Sequence, residues 1–299
     1  MTDAQSDSIV LDYVQDRPFL SNVRPEQAWY VRYLIEAAER FFGRSQIETL
    51  YKQVKEQPFS IDDFLSDAFR IAKIEHHFDA RQLTKLPTSG PLVFVANHPF
   101  GVIDGLALCD LAVRARGNFR ILIHAFLCQD NDLAEYFLPV DFSESKAAVK
   151  NNIRSKRVAK QALIDGIPLL VFPSGFVSTA DRRGFGKVVD APWTTFAAKM
   201  IRDAEATVVP VYFSGQNSRI FHLASQFSEA LRSAALMNEV TKSFGKPLST
   251  RIGDPLGWRE LETVGNRQQL TEFLYNEVQI LAKQPRYTCL SNPDTVFDT

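Results

Sequence analysis

Two residues of types that often perform acid–base chemistry, His98 and Asp104, lie in one short stretch of the chain, NHPFGVIDG at 97–105. An imidazole can accept a proton near neutral pH when a neighbouring acceptor fixes its tautomer and stabilises its cation. The two residues are six positions apart, which is roughly 20 Å in an extended chain. The loop must therefore fold back at Gly101 for the pair to meet, and the pair is then a candidate general base with its orienting acid.

Both residues also have a purely structural interpretation. Asp104 is suited to be the N-cap of the helix that follows it, where its carboxylate would accept orphan backbone N–H groups. His98 is equally suited to be a hydrogen-bonded loop histidine with no part in catalysis. The residue types alone leave both interpretations open.

The elements around this stretch predict that it follows a buried strand. The apolar run 91–96 is short and rich in β-branched and aromatic residues, which is typical of a strand inside a parallel sheet. A helical pattern over 106–116 comes after the polar loop. Other apolar runs predict strands at 119–123, 167–172 and 207–213, a short edge strand at 250–256, and helices at 24–43, from Ser60, and at 143–165, 192–202 and 259–282.

Strands that alternate with helices predict an α/β fold, with a mainly parallel sheet, helices on both faces, an N-terminal helical segment and a C-terminal helix. The predicted organisation is a flexible lead at 1–22, a helical segment at 23–85, an α/β core at 86–258, and a helix and tail at 259–299. Ligands of open α/β sheets bind beyond the carboxyl ends of the strands. Polar residues that follow the other predicted strands are therefore further site candidates: His124, Gln129, Ser174, Gly175, Gly215 and Asn217.

Composition restricts the class of protein. The 299 residues carry a formal net charge of −1, which gives no electrostatic footprint for nucleic acid. The N-terminal MTDAQSDS is unlike a secretory signal, and no apolar run approaches the ~18 residues that span a bilayer. Cys109, Cys128 and Cys289 form neither a disulfide framework nor a zinc motif, so we expect a reducing, cytoplasmic compartment. The adjacent His76 and His77 point to different sides of an element, which predicts a packing or solvated role rather than a metal site.

Four sequence blocks together resemble the glycerolipid and lysophospholipid acyltransferase superfamily. They are NHPFGVIDG at 97–105, VFPSG at 171–175, DAPWTTFAAK at 190–199 and VVPVYFSGQNSRIF at 208–221. The superfamily signature has four residues between histidine and aspartate, whereas five intervene here, which is closer to the bacterial branch often labelled hemolysin-like, with its ornithine-lipid acyltransferases. Ser174 stands where the better-known branch has glutamate. The resemblance covers roughly residues 60–257.

The resemblance implies that an acyl group moves directly from an acyl thioester to a lysolipid or related lipid acceptor. His98 would be the general base and Asp104 its orienting acid, with backbone N–H groups near Gly101 or Gly175 stabilising the oxyanion. It implies no bound cofactor, with coenzyme A or acyl carrier protein as the carrier of the donor, and a peripheral location at the cytoplasmic face of the membrane. The residues expected to bind substrate are Asn97, Gly101, Ser174, Gly175, Arg182, Arg183 and Asn217.

Two groups of cations have both a functional and a structural interpretation. Arg182 and Arg183 lie in a loop that leaves a strand end, where arginine could bind a phosphate or carboxylate head group, with Arg219 as the next candidate. The alternative is an exposed, solubilising turn. Lys146, Lys150, Arg154 and Arg157 form one helical stripe, here called the basic stripe, that is either a solvated face or a dock for acyl carrier protein or an anionic membrane.

Two other functional classes remain open at this point. Ser174 follows a strand, as the nucleophile of an α/β-hydrolase does, but the glycine two residues ahead is missing and the last histidine is His222. The third class is a lipid-binding relative that has kept the fold without catalysis.

Overall fold

The structure is a computed structural model that describes residues 29–30, 32–33, 40, 43–56, 58–128, 130–143, 145–180, 186–226 and 229–284. The predicted lead at 1–22 lies outside these residues, as do most of the predicted helix at 24–43 and the tail beyond 284. Three predicted site residues, Gln129, Arg182 and Arg183, also lie outside them.

The described residues form one seven-stranded sheet and the helices around it. The strands are β1 (His76–His77), β2 (Leu92–Ala96), β3 (Arg120–His124), β4 (Phe137–Val140), β5 (Leu169–Val171), β6 (Thr207–Ser214) and β7 (Leu248–Ile252). The helices are α1 (Arg44–Val54), α2 (Ile61–Ala72), α3 (Ala80–Leu83), α4 (Val102–Arg116), α5 (Lys146–Ile164), α6 (Phe196–Ala204), α7 (Arg219–Ala224), α8 (Glu229–Ser243), α9 (Trp258–Leu261) and α10 (Arg267–Leu281). No described helix is both long enough and apolar enough to cross a membrane.

The strand order is β1-β7-β6-β2-β5-β3-β4. The run from β6 to β4 is parallel throughout, and β7 lies antiparallel to β6. This confirms the predicted α/β class with a mainly parallel sheet. The edge position predicted for the strand at 250–256 is wrong, because β1 pairs with the outer side of β7 and becomes the edge. The sheet therefore extends into the segment that the sequence predicts to be helical.

β2 lies in the middle of the sheet and is buried on both faces. Leu92, Phe94 and Ala96 pack into the core that α2 and α4 share, whereas Val93 and Val95 pack into the core that α5, α6 and α10 share. This alternation is the period of two that a strand imposes on its side chains. Helices therefore cover both faces, as predicted, and β2 carries the loop at 97–101 out of the centre of the molecule.

Two helix boundaries differ from prediction for local reasons. α4 begins at Val102, four residues before the predicted start, because Gly101 adopts φ +81° and serves as the N-cap. The predicted C-terminal helix is two helices, since Asn266 begins α10 afresh with a capping box.

Candidate active site

The loop after β2 is tied to the neighbouring strand by a buried amide. The side chain of Asn97 donates to the carbonyl of Phe213 over 3.0 Å and accepts the N–H of Phe213 over 2.7 Å. These two bonds continue the β2–β6 ladder one residue beyond the end of β2. Asn97 thereby fixes the point at which the chain leaves the sheet, and His98 is the next residue.

The loop after β2 folds back on itself, so that His98 and Asp104 meet. Nδ1 of His98 lies 3.0 Å from Oδ1 of Asp104, whose side chain is fully buried. The contact is bent away from ideal hydrogen-bond geometry, and neither atom has another partner in the described parts of the chain. Gly101 makes the turn possible: a Cβ there would lie 2.9 Å from Leu236 Cδ1, and its φ is positive.

Asp104 is not the N-cap of α4, because Gly101 holds that position and Asp104 lies within the first turn. Its second oxygen, Oδ2, accepts the N–H of Phe100 over 2.8 Å. One carboxylate therefore closes the loop and faces the imidazole. The N-cap interpretation is therefore wrong, but Asp104 can close the loop and orient the imidazole at once, because each task uses a different oxygen.

Contacts fix the ring of His98 and both of its backbone polar groups, the N–H and the carbonyl. The ring stacks on Phe172, with centroids 3.9 Å apart and planes 25° apart. Its carbonyl accepts the N–H of Ser178 over 2.8 Å, and its N–H donates to Oδ1 of Asp190 over 3.3 Å. The side chain is 17% exposed. Because Nδ1 is buried, Nε2 is the ring nitrogen that a substrate can reach.

Asp190, the first residue of the DAPWTTFAAK block, ties the loop after β2 to the segment that follows β5. Besides the N–H of His98, Oδ1 accepts the hydroxyl of Ser178, and Oδ2 accepts the indole N–H of Trp193 over 3.0 Å. Trp193 in turn packs edge-on against Tyr275, with ring centroids 5.4 Å apart. No spacing or residue type in the sequence marks Asp190 as a site residue. Its place at the head of the DAPW block was the available signal.

The turn after β5 is held by its own backbone. Ser174 is 2% exposed, and its hydroxyl donates to the carbonyl of Phe176 over 2.9 Å. Gly175 has φ +69°, and its N–H donates to the carbonyl of Phe172 over 2.9 Å. In the described structure no histidine hydrogen-bonds to Ser174, so the hydroxyl lacks the base that a hydrolytic nucleophile needs.

The loops after β3 and β6 reach the same edge of the sheet. Gly215 packs so closely on Phe100 that a Cβ would lie 2.6 Å from its ring. Asn217 is buried, and its Nδ2 has no partner among the residues described. His124 is exposed, with its ring 5.7 Å from that of Phe142. Arg219 donates to the carbonyl of Gly186 over 3.0 Å.

His76 and the two described cysteines do not compete with His98 for a catalytic role. His76 is buried, with Nδ1 3.1 Å from Asp110 Oδ2 and Nε2 2.9 Å from Thr250 Oγ1, which agrees with its predicted packing role. Burial raises the pKa of the Cys128 thiol to about 12 and raises the pKa of Cys109 as well. Neither thiol is therefore an activated nucleophile. The geometry instead favours proton transfer at His98 Nε2.

The chain is similar to known proteins in sequence and in fold. A family model described as acyltransferase matches residues 23–284. The chain is 29% identical over 226 residues to a lyso-glycine lipid O-acyltransferase of Phocaeicola vulgatus, covering 72% of this chain and 76% of that one. It is 26% identical over 261 residues to a lyso-glycine lipid O-acyltransferase of Bacteroides thetaiotaomicron, covering 84% of this chain and 90% of that one.

A solved structure shares the fold. The crystal structure of the 1-acyl-sn-glycerophosphate (LPA) acyltransferase, PlsC, from Thermotoga maritima matches with a TM-score of 0.51 at 13% identity. The match covers 86% of this chain and 97% of that one. At this identity the similarity describes the fold alone.

Proposed function

This chain belongs to the acyltransferase family, and from that premise we propose that it transfers a fatty acyl group from an acyl thioester to the hydroxyl group of a lysolipid. The observation that carries the proposal is the contact of 3.0 Å between His98 Nδ1 and the buried carboxylate of Asp104. It directs the other ring nitrogen, Nε2, outward as a proton acceptor. The names of the relatives, which are O-acyltransferases, support an ester product.

The proposed reaction is a direct transfer. Nε2 of His98 takes the proton of the acceptor hydroxyl as its oxygen attacks the thioester carbonyl, and Asp104 stabilises the imidazolium that forms. The tetrahedral intermediate then collapses, the carbon–sulfur bond breaks, and the thiolate leaves with the proton from His98. No covalent acyl-enzyme is needed, because a thioester is already activated. This agrees with the buried, hydrogen-bonded state of Ser174.

The oxyanion of the intermediate needs N–H donors. Of the two places expected from the sequence, Gly175 already donates its N–H to Phe172. This favours the turn at Gly101 and the first residues of α4, where N–H groups and the helix dipole attract negative charge. α4 is 15 residues long and begins directly after the catalytic loop.

The proposal names only the classes of donor carrier and of head-group ligand. Coenzyme A and acyl carrier protein both remain possible donor carriers. Arg182 and Arg183 stay predicted head-group ligands, and Arg219 remains the next candidate. The assignment to the hemolysin-like branch also stays a prediction.

The test uses acyl transfer by purified protein from a labelled acyl thioester to a panel of lysolipids, with products identified by mass. His98→Ala is expected to lower turnover at least about 100-fold, because proton acceptance in the transition state is lost. Asp104→Asn is expected to lower turnover as well, while its amide oxygen still accepts from Phe100. His77→Ala, a partly exposed histidine at the far edge of the sheet, is the matched control and should retain activity.

Near-normal acyl transfer by a folded His98→Ala variant would contradict the proposed mechanism. Ester hydrolysis by the wild-type protein that requires Ser174 and no acyl acceptor would instead favour the α/β-hydrolase alternative. A melting curve for each variant separates loss of chemistry from loss of fold.

A further inference from the structure

An exposed surface beside the catalytic loop combines apolar and basic side chains. Phe142, Val149, Ile153 and Phe176 are 49%, 53%, 61% and 44% exposed, respectively. Lys146 and Lys150 lie beside the two aliphatic residues, and the four side chains of α5 line a shallow groove. Hydrogen bonds between Asp141 and Asn152 hold the segment of Phe142 against α5, and the six residues are here called the α5 face. Large apolar side chains that cluster in the open, rather than occurring singly, mark an interaction site.

The helix geometry explains why these residues share a face. Lys146, Val149, Lys150 and Ile153 occupy positions i, i+3, i+4 and i+7, which lie on one side of a helix. Residues 146–160 contain six Lys and Arg and no Asp or Glu. Lys146 and Lys150 form no ion pair within the described structure. The exposed side of this helix end therefore alternates lysines with aliphatic side chains.

The sequence predicted a stripe that is only basic. The structure instead leaves Arg154 half-buried and exposes Val149 and Ile153 between the lysines. The exposure of Val149 and Ile153 is important because a helix face that only contacts water gains no stability from exposed aliphatic side chains. With these two residues the stripe is an amphipathic surface rather than a purely charged one.

The α5 face is continuous with the candidate active site. Phe142 and Phe176 pack together with ring centroids 5.1 Å apart, and a Cβ at Gly175 would lie 3.6 Å from Phe142. The same turn after β5 continues to Ser178, which donates its N–H to the carbonyl of His98. A molecule seated on the aromatic pair is therefore close to the loop that carries the general base.

We propose that the α5 face is the surface through which this enzyme docks on an anionic lipid bilayer. Side chains of this kind lie at the boundary of head groups and acyl chains, with apolar residues inserted and lysines at the anionic head groups. The proposal rests on the proposed function, since a lysolipid acceptor resides in a membrane and must reach His98 from it. An acidic carrier protein would match the lysines, but it gives no comparable place for four exposed apolar side chains.

The test compares two isoleucines on one helix. Ile153→Asp removes the most exposed apolar side chain of the α5 face. Ile164→Asp changes an isoleucine of similar exposure, 54%, that lies eleven residues later on the same side of α5, about 16 Å away. The full-length proteins are mixed with vesicles of phosphatidylglycerol and phosphatidylcholine, and the bound fraction is measured by flotation.

Ile153→Asp is expected to weaken partitioning into vesicles at least about tenfold, whereas Ile164→Asp should stay within about twofold of wild type. The double variant Lys146→Glu/Lys150→Glu should lose the preference for these vesicles over pure phosphatidylcholine, most strongly at low salt. Equal binding by both isoleucine variants, or wild-type protein that transfers acyl groups but does not bind vesicles, would overturn the proposal.

Transfer to a lysolipid dispersed in detergent separates this proposal from the proposed function. Ile153→Asp should keep its rate on dispersed acceptor and lose rate only on acceptor in vesicles. If Ile153→Asp binds vesicles normally but shows a raised KM for a carrier-protein thioester, the α5 face docks the carrier and the membrane proposal is wrong. If wild type transfers no acyl group to any acceptor, the proposed function fails, and flotation still decides the docking surface.

Discussion

At the scale of single residues, the imidazole of His98 depends on two carboxylates with different tasks. Asp104 faces the ring nitrogen, whereas Asp190 accepts hydrogen bonds from the backbone of His98, the hydroxyl of Ser178 and the indole of Trp193. A general base works only when its nitrogen is placed within hydrogen-bond reach of the proton it accepts. In the proposed mechanism Asp190 is therefore a positioning residue, because it fixes the loop rather than touching the reacting atoms.

Asp190→Asn tests this positioning. An amide has one acceptor oxygen and one donor group, so at least one of the three N–H and O–H donors would face another donor and lose its partner. We expect kcat to fall about tenfold with little change in KM for the acceptor. Steady-state kinetics beside a melting curve gives the answer.

Asp203→Asn is the matched control, since Asp203 pairs with Lys199 on the outside of α6 and contacts no part of the loop. A variant of Asp190 that melts earlier but turns over normally would show that the carboxylate serves the fold alone.

At the scale of elements, α10 illustrates how a local signal divides a predicted helix. The side chain of Asn266 accepts the N–H groups of Gln268 and Gln269 over 2.9 and 3.0 Å, and Gln269 returns a bond to the N–H of Asn266 over 2.8 Å. α10 then buries Leu270, Leu274 and Val278 against the face of the sheet from which Val93 and Val95 project. The cap therefore fixes where this covering helix begins.

Asn266→Ala is expected to lower the free energy of unfolding by about 1 kcal/mol, because two backbone donors lose their acceptor. Gln268→Ala is the control in the same turn, since among the described residues its side chain bonds only to the exposed Glu272. Chemical denaturation of both variants measures the difference. A loss of equal size in both would mean that helix propensity, not the cap, is responsible.

At the scale of the whole molecule, two histidines are buried among packed elements. His76 joins β1 to α4 through Asp110 and to β7 through Thr250. His222 on α7 is fully buried, and neither ring nitrogen has a partner within the described structure. Burial lowers the pKa of both side chains, and the charge of Arg219 adds to this effect at His222.

A histidine whose pKa is lowered in the fold is neutral there, while the unfolded chain gains its proton near pH 6.5. The stability from these residues is therefore fully present above about pH 6.5 and is lost as the pH falls toward the lower folded pKa. We expect wild type to lose stability between about pH 7.5 and pH 5.5, and His222→Leu to lose less, since it removes one of the two groups. Urea denaturation at both pH values tests this, and parallel losses in the two proteins would contradict it.

The sequence by itself determined the frame of this protein. Continuous apolar runs predicted β2, β3, β5 and β6, because strands buried on both faces of a parallel sheet need no polar side. Their alternation with helices required parallel pairing and brought the loops to one edge. For His98 and Asp104 to meet in one of these loops, the sequence required a fold-back at Gly101, and the structure contains it.

Tertiary structure alone decided the contacts between distant segments. β1 has two residues, too few for any pattern, and exists because β7 presents it a free edge. Asp190 reaches His98 across 92 positions, and Asn97 reaches Phe213 across 116. Which side of α5 remains open depends on what packs behind it, so the sequence showed the lysines but not the exposed aliphatic residues between them. Periodicity records the environment of one element, whereas these features depend on which elements meet.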